Sequence, residues 1–405
     1  MAEQTRLLYL IGQFPAINHG YLLAEVMHLR RLGLDVLVSS ISLPDRPPEK
    51  LSQQEREEAG RTYYVKSVPV LRVAVLNLSE FLRHPLRYLS GLTYALRLGR
   101  GGLRRRVHHL AYLAEAVLVG RYMRKLGLSH VHASFSATVA LILTKIFPVT
   151  MSFGVYGFGE LHDPSSSQLA ERVKGALFVR SNSRHGRGQL MLSCDPTDWS
   201  RLIYVPLGIN ANEFLPSQHQ ENSGQVRLLC VGRLAAEKGQ VFLLEAIAAL
   251  RTEGRSILAR LVGDGPDRKW LEKRADELGI GSNVEFPGWV DQERLLALYA
   301  ESDLFVLPSL AEGIPMVLIE AMSMEIACIA PCIAGIPELI ENGVDGMLFS
   351  VADVEDLTAK IRSLVNSPEL RARMGEQARI RVMRDYDMAR NSERFASALK
   401  RHLHS

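Results

Sequence analysis

The chain has 405 residues, 47% of them apolar and 23% charged, with a formal net charge of +4 at pH 7. That length exceeds one ordinary hydrophobic core and favours two domains, and the composition is that of a globular protein rather than a disordered or fibrous one. The mild charge gives no reason to expect nucleic acid as a partner, no apolar run reaches the roughly 18 residues of a membrane span, and Cys194, Cys230, Cys328 and Cys332 lack zinc-like spacing, which leaves reduced thiols in a cytoplasmic protein as the expectation.

The apolar run 7–11, preceded by Glu3, reads as a first strand and not as a cleavable leader. Gly12 follows it. A helix is predicted over 21–32, with Leu22, Val26 and Leu29 on one face and Gly33 as its stop. Further strands are predicted at 34–41, 131–135, 149–155, 176–179 and 203–205. The polar stretch 215–225 has no apolar periodicity and reads as a linker. Beyond it, strands at 226–231, 258–262, 284–286, 304–307 and 327–330 alternate with helices that include 241–250 and 266–278. Such alternation predicts an α/β protein with two doubly wound Rossmann-like domains facing across a cleft. The expected limits are 1–214 for the first domain, 226–385 for the second, and a C-terminal helix over 386–405 that packs back on the first. Ligands of open parallel sheets bind beyond the carboxyl ends of the strands, so the site is expected in the cleft.

The stretch 81–125 stands apart. It holds ten Arg or Lys residues against one acid, Glu115, with leucines and tyrosines interleaved. It suits either a peripheral contact with an anionic membrane, at the inner face of the cytoplasmic membrane, or a long surface helix pair packed on its own domain.

The most informative segment is 309–322, SLAEGIPMVLIEAM. An apolar strand, a turn at Gly313 and an amphipathic run from Ile314 form an anion site, because the first amides of a helix and its dipole face the ligand. Glu312 and Glu320, eight positions apart, would stand roughly 12 Å apart on a helix. That is too far for the roughly 5 Å carboxylate pair of a retaining glycosidase. It suits the two hydroxyl-bearing ends of a ligand with an anionic middle, such as a nucleotide-diphosphate sugar. Taken alone, the two glutamates are equally readable as solvated helix charges. Three other glycine turns follow strands: Gly232-Arg233-Leu234 with Lys238-Gly239 behind it, Gly263-Asp264-Gly265-Pro266, and Gly335-Ile336-Pro337-Glu338. Each is weak alone; four in this order are not.

These segments, VGRLAAEKG (231–239), LVGDGP (261–266), FPGWV (286–290), LPSLAEGIPMVLIEAM (307–322) and AGIPELIENGVDG (334–346), resemble the family-four retaining glycosyltransferases of the GT-B fold. The likeness extends into the first half through YLIGQFP (9–15), VHASFS (131–136), TMSFGVYGFGELHDP (150–164) and VPLGIN (205–210), and is similar to members that build bacterial surface polysaccharides of the colanic acid type. The resemblance implies that Arg233 and Lys238 neutralise the donor diphosphate, that Glu312 touches the donor sugar and Glu320 the ribose. It places Gly12, Gly232, Gly263, Gly265, Gly313 and Ile314 against the nucleotide sugar. It implies a UDP- or GDP-linked donor as substrate, no further cofactor, no metal, and a glycan or lipid-linked acceptor. The pair Asp385 and Asp387 reads as structural, and an ion pair with Glu237 or Glu245 is the plain alternative for the two cations.

One position departs from the family. Many relatives carry a catalytic-face histidine where this chain has Tyr156, and His162 is no simple substitute. Tyr156 is expected in the cleft with its hydroxyl at the donor sugar; otherwise it marks a non-catalytic nucleotide-sugar-binding subunit. A nucleotide-sugar epimerase is a more distant reading. His132 reads as either a cleft or a structural residue, His185 is a second departure, and Arg187 is a basic residue near the donor or on a solvated helix face.

Overall fold

The computed structural model describes residues 5–100, 102–161, 168–210, 212–216 and 224–404. They form two units: Met1–Asn182 with Gly186–Leu207 and Met388–Ser405, and Ser183–His185 with Gly208–Asp387. Residues 208–214, expected in the first domain, group with the second, because Ile209 and Phe214 are buried in its core and the Ile209 N–H donates to the Tyr386 carbonyl at 3.0 Å. Most of the expected linker, 217–223, lies outside the described residues, as does His162.

The first unit is built on a parallel sheet of seven strands: β1 (Arg6–Gln13), β2 (Asp35–Ser42), β3 (Tyr63–Tyr64), β4 (His130–Ser134), β5 (Thr150–Val155), β6 (Val179–Ser181) and β7 (Leu202–Tyr204). Their order is β3-β2-β1-β4-β5-β6-β7. The centre of β1, Leu7 to Ile11, is wholly buried, as a strand covered on both faces requires. Helix α1 (Gly20–Arg31) lays Leu22, Val26 and Leu29 on the sheet, and α2 (Gln53–Arg61) opens with a Ser52–Glu55 capping box.

The basic stretch folds as three helices, α3 (Val70–Arg83), α4 (Pro85–Leu98) and α5 (Leu103–Leu126). The second half of α5 is core: Leu113, Val117 and Met123 are buried, and Gly120 lies so close to Phe147 that a Cβ would stand 2.2 Å from its ring. Helix α6 (Ala137–Ile146) is buried along almost its whole length.

One charged cluster ties the first unit together. Arg180 of β6 is fully buried and its guanidinium meets Glu25, on the buried face of α1. It also donates to the Val205 and Pro206 carbonyls, both at 3.0 Å. Glu25 accepts from the Tyr9 hydroxyl of β1 at 2.7 Å. The C-terminal helix, Met388–Leu403, closes the cluster with Phe395, whose ring centroid is 4.4 Å from the guanidinium carbon.

The second unit carries a six-stranded parallel sheet: β8 (Val226–Val231), β9 (Ile257–Val262), β10 (Val284–Gly288), β11 (Leu304–Val306), β12 (Ala327–Pro331) and β13 (Met347–Phe349), in the order β10-β9-β8-β11-β12-β13. In both sheets the strand order reverses beside the first strand: between β1 and β4, and between β8 and β11. These reversals part the loops that follow and leave a crevice at the carboxyl edge.

Removing one member of a buried ion pair strands the other, so Glu25→Ala is expected to destabilise the first unit by about 3–5 kcal/mol. Trp199 is the one tryptophan of that unit among the chain's three. Its fluorescence in a Trp270→Phe/Trp289→Phe background reads the urea midpoint; an unchanged midpoint in Glu25→Ala would show that the pair is not what holds the unit.

Candidate functional site

Four turns at the carboxyl edge of the second sheet are packed against one another through glycines. A Cβ on Gly263 would lie 2.0 Å from the Gly232 carbonyl oxygen, one on Gly265 2.2 Å from that of Leu234, and one on Gly239 2.2 Å from that of Pro308. Gly239 and Gly263 also have φ of +61° and +134°, which L side chains rarely adopt. Gly335 meets the Gly313–Ile314 turn in the same way. Main-chain hydrogen bonds stitch the set: Gly232 N–H to the Val262 carbonyl at 2.9 Å, Leu234 N–H to Asp264 at 3.0 Å, and Leu310 N–H to Glu237 at 2.9 Å. Gly239, Gly263 and Gly265 therefore have a structural reason to be there that needs no ligand, whereas a Cβ on Gly232 would meet nothing nearer than the Lys238 side chain at 4.0 Å.

Across the β8/β11 reversal, the Lys238 ammonium donates to Glu312 Oε1 at 2.6 Å, and the Ser309 hydroxyl donates to the same oxygen at 2.7 Å. Lys238 and Glu312, predicted separately, form one largely buried pair. Arg233 stands in the β8 turn with its side chain two-thirds exposed and its guanidinium 4.0 Å from Glu237, the limit of an ion pair. It is oriented toward solvent and available to an incoming anion.

The glutamates do not share a helix. Pro315 is extended and caps the helix Met316–Ser323, so only Glu320 is helical and Glu312 lies in the preceding turn. The 12 Å helical spacing expected from sequence does not apply, and the helix starts two residues after Ile314, where the amphipathic run begins. Its carbonyl accepts from Leu318 and Ile319, while the Ile314 side chain is buried in the core. Glu320 is half-buried and accepts from the Tyr299 hydroxyl at 2.9 Å. Burial pushes its carboxyl up to about 7, against the opposing pull of that hydrogen bond. Glu338, in the last turn, accepts the N–H groups of Arg184 and His185 at 2.8 and 2.7 Å, and the His185 side chain is exposed. Asp385 ends a helix and pairs with Arg384 on the surface.

In the first unit, Gly12 lies inside β1 and not after it. A Cβ there would sit 3.1 Å from Phe135, which follows β4 with φ of +61°. His19 stacks on Phe135 with ring centroids 4.5 Å apart, and burial lowers its pKa, so the imidazole is neutral at pH 7. Sequence reading missed both. Tyr156 is 6% exposed and its hydroxyl is turned inward, 3.0 Å from the Ser134 hydroxyl and 3.5 Å from that of Tyr9. Burial raises its pKa and keeps it protonated. The expected contact between this hydroxyl and a donor sugar does not fit that geometry. Gly154 is what makes the inward turn feasible, since a Cβ there would lie 2.2 Å from the Tyr156 oxygen. His132 is structural: it is fully buried, bonded through Nδ1 to the Ser152 hydroxyl at 2.8 Å, and held neutral by burial. Arg187 is half-buried in the helix Arg184–Ser193. Among the described residues no cluster of His, Cys, Asp or Glu is arranged to hold a metal ion.

Comparison with known proteins supplies the context for this geometry. Residues 211–381 match the family described as glycosyl transferases group 1. The chain is 31% identical to glycogen synthase of Mycobacterium tuberculosis over 67% of its own length and 70% of that protein. It is 25% identical to the putative colanic acid biosynthesis glycosyltransferase WcaL of Escherichia coli over 97% of its own length and 98% of that protein. The crystal structure of Anabaena HepE in complex with UDP and glucose shares the GT-B-like fold, with a TM-score of 0.74 and 18% identity over 98% of this chain and all of that one.

The raised pKa of Glu320 has a signed consequence. The folded chain holds the proton more tightly than the unfolded one, whose value is near 4.5, so this contribution to stability is fully present below about pH 4.5 and is lost as pH rises through 7. Glu320→Gln removes the titration. Relative to the unaltered chain it should gain on the order of 1–3 kcal/mol between pH 5 and pH 8. A difference in unfolding free energy that stays flat across that interval would contradict the assignment.

Proposed function

Because this chain belongs to the group 1 glycosyl transferases, we propose that it transfers a sugar from a nucleotide-diphosphate donor to a cell-envelope glycan or lipid-linked acceptor, with retention at the anomeric carbon and without a metal. The observation that carries the donor half is the Lys238–Glu312 pair beside exposed Arg233 at the strand reversal of the second sheet. A departing nucleoside diphosphate gains negative charge as the glycosidic bond breaks. Fixed cations placed where that charge develops stabilise the transition state more than the ground state.

In this reading Arg233 and Lys238 take the diphosphate, with charge-assisted hydrogen bonds stronger than those between neutral groups. Glu312, relieved of part of its bond to Lys238, accepts from the hydroxyls of the donor sugar. Glu320 accepts from the ribose, and the amides of the Gly313–Ile314 turn and of the helix that follows face the phosphates. The leaving phosphate itself takes the proton of the attacking hydroxyl on the same face, so no second carboxylate is needed at the anomeric carbon. Tyr156 acts as a positioning residue beneath Phe135 and not as a donor contact. A surface-polysaccharide acceptor is supported by the full-length similarity to the colanic acid biosynthesis glycosyltransferase. A UDP-linked donor is supported by the UDP bound to the Anabaena neighbour, and GDP-linked sugars belong in the same screen.

Arg233 is exposed, so Arg233→Ala should fold normally while losing bonds worth about 1.5–3 kcal/mol each, at least a roughly tenfold loss in donor affinity or turnover. Titration of a panel of UDP- and GDP-sugars against both proteins measures this; unchanged donor kinetics would displace the diphosphate from this turn.

Transfer should persist in EDTA, because the two cations supply the charge a metal would otherwise bring. Complete loss on chelation that magnesium or manganese restores would overturn the metal-free scheme.

A further inference from the structure

We propose that the outer face of α3, α4 and the first half of α5 is a docking surface for an anionic lipid bilayer. An apolar stripe at helical spacing normally faces a core. Here Leu71, Val75, Leu78 and Leu82 form such a stripe along α3, at steps of four, three and four, and all four are exposed. Leu86 and Leu89 do the same on α4, and Leu103, Val107 and Leu110 on α5. The three helices pack on one another, as the Phe81–Tyr88 ring contact and the 3.3 Å bond from the Tyr88 hydroxyl to Asn77 show. What they leave uncovered is therefore a surface of one compact element, anchored by the buried second half of α5.

The charge on this element has one sign. Residues 70–112 contain eight arginines and a single acid, Glu80. The Glu80 carboxylate is fully buried between Arg121 and Arg124, so it contributes nothing to the outer field. Arg97 reaches Glu171 at 3.0 Å. The other seven, from Arg72 to Arg106, are exposed, and none makes an ion pair with a carboxylate among the described residues. Exposed leucines and exposed arginines on the same helices match the interfacial zone of a bilayer, where apolar side chains enter the acyl boundary and cations meet phosphate headgroups. A second copy of this chain is a poor occupant, because it would bring the same positive face against itself. Nucleic acid would satisfy the arginines and leave the leucine stripes in water. No helix of the described residues is long and apolar enough to cross the membrane, so the contact is one of lying on the surface. This inference does not depend on the transfer chemistry proposed above.

The test is sedimentation of the full chain with vesicles of phosphatidylcholine alone or with about a third phosphatidylglycerol. Binding to the anionic vesicles only, weakening as salt rises, is the expected result. Each arginine near an anionic surface contributes about 1 kcal/mol, so the charge reversal Arg104→Glu/Arg105→Glu/Arg106→Glu should weaken binding roughly a hundredfold or more. Leu71→Ser/Leu82→Ser should weaken what binding survives in high salt. All five side chains are exposed, and the comparison of lipid compositions needs no variant. Equal binding to neutral and anionic vesicles, binding to neither, or indifference to the charge reversal overturns the proposal. So does a salt-stable dimer that the leucine variants abolish, or preferential binding of nucleic acid over anionic vesicles.

Discussion

A fully buried guanidinium is the constraint around which the first unit is organised. Arg180 cannot be solvated, so the fold must bring it acceptors. Glu25 comes from α1, the Val205 and Pro206 carbonyls from the chain after β7, and the Phe395 ring from the C-terminal helix. Tyr9 and Tyr156 extend the cluster to β1 and to the chain after β5, and Ser134 brings in β4. Distant stretches of sequence thus converge on one charge, and the surface above it, where Gly12 meets Phe135, inherits their positions. A helix from the far end of the chain belongs to this unit because the cluster needs its lid.

The second unit places its site loops by another means. Its turns are set by close backbone contact, glycine against carbonyl, and Arg233, Lys238 and Glu312 stand among them at the carboxyl edge of the sheet. Lys238 and Glu312 satisfy each other. That arrangement holds both side chains in place and lowers the local field, leaving Arg233 as the more exposed cation of the two. Glu320 is treated differently: it is taken partly out of water, with the Tyr299 hydroxyl as the one hydrogen-bond partner of its carboxyl group among the described residues.

The doubly wound architecture was legible because buried parallel strands are uninterrupted apolar runs, and most predicted strands lie within two residues of the observed ones. β3 and β13 were missed because edge strands of two or three residues carry no periodicity. The start of the helix at Met316 was misjudged because the amphipathic pattern begins before the backbone does; Pro315, held extended, delays it. The glycine turns were found by their position after strands, but their mutual contacts are long-range and have no local sign. The same holds for Glu25 and Arg180, 155 positions apart. A glutamate within an apolar helical face was a visible anomaly, yet nothing nearby named its partner. The inward turn of Tyr156 could have been suspected from Gly154, the small residue two positions before it on the same side of a strand.

The glycine-to-carbonyl contacts also limit how this protein could diversify. When the atoms of one turn lie where the Cβ of another would be, as at Gly239, Gly263 and Gly265, a side chain at those positions displaces the neighbouring turn. Changes of ligand in a lineage with this framework would therefore be written in the side chains that project from the turns, at constant turn length. Insertions would accumulate elsewhere.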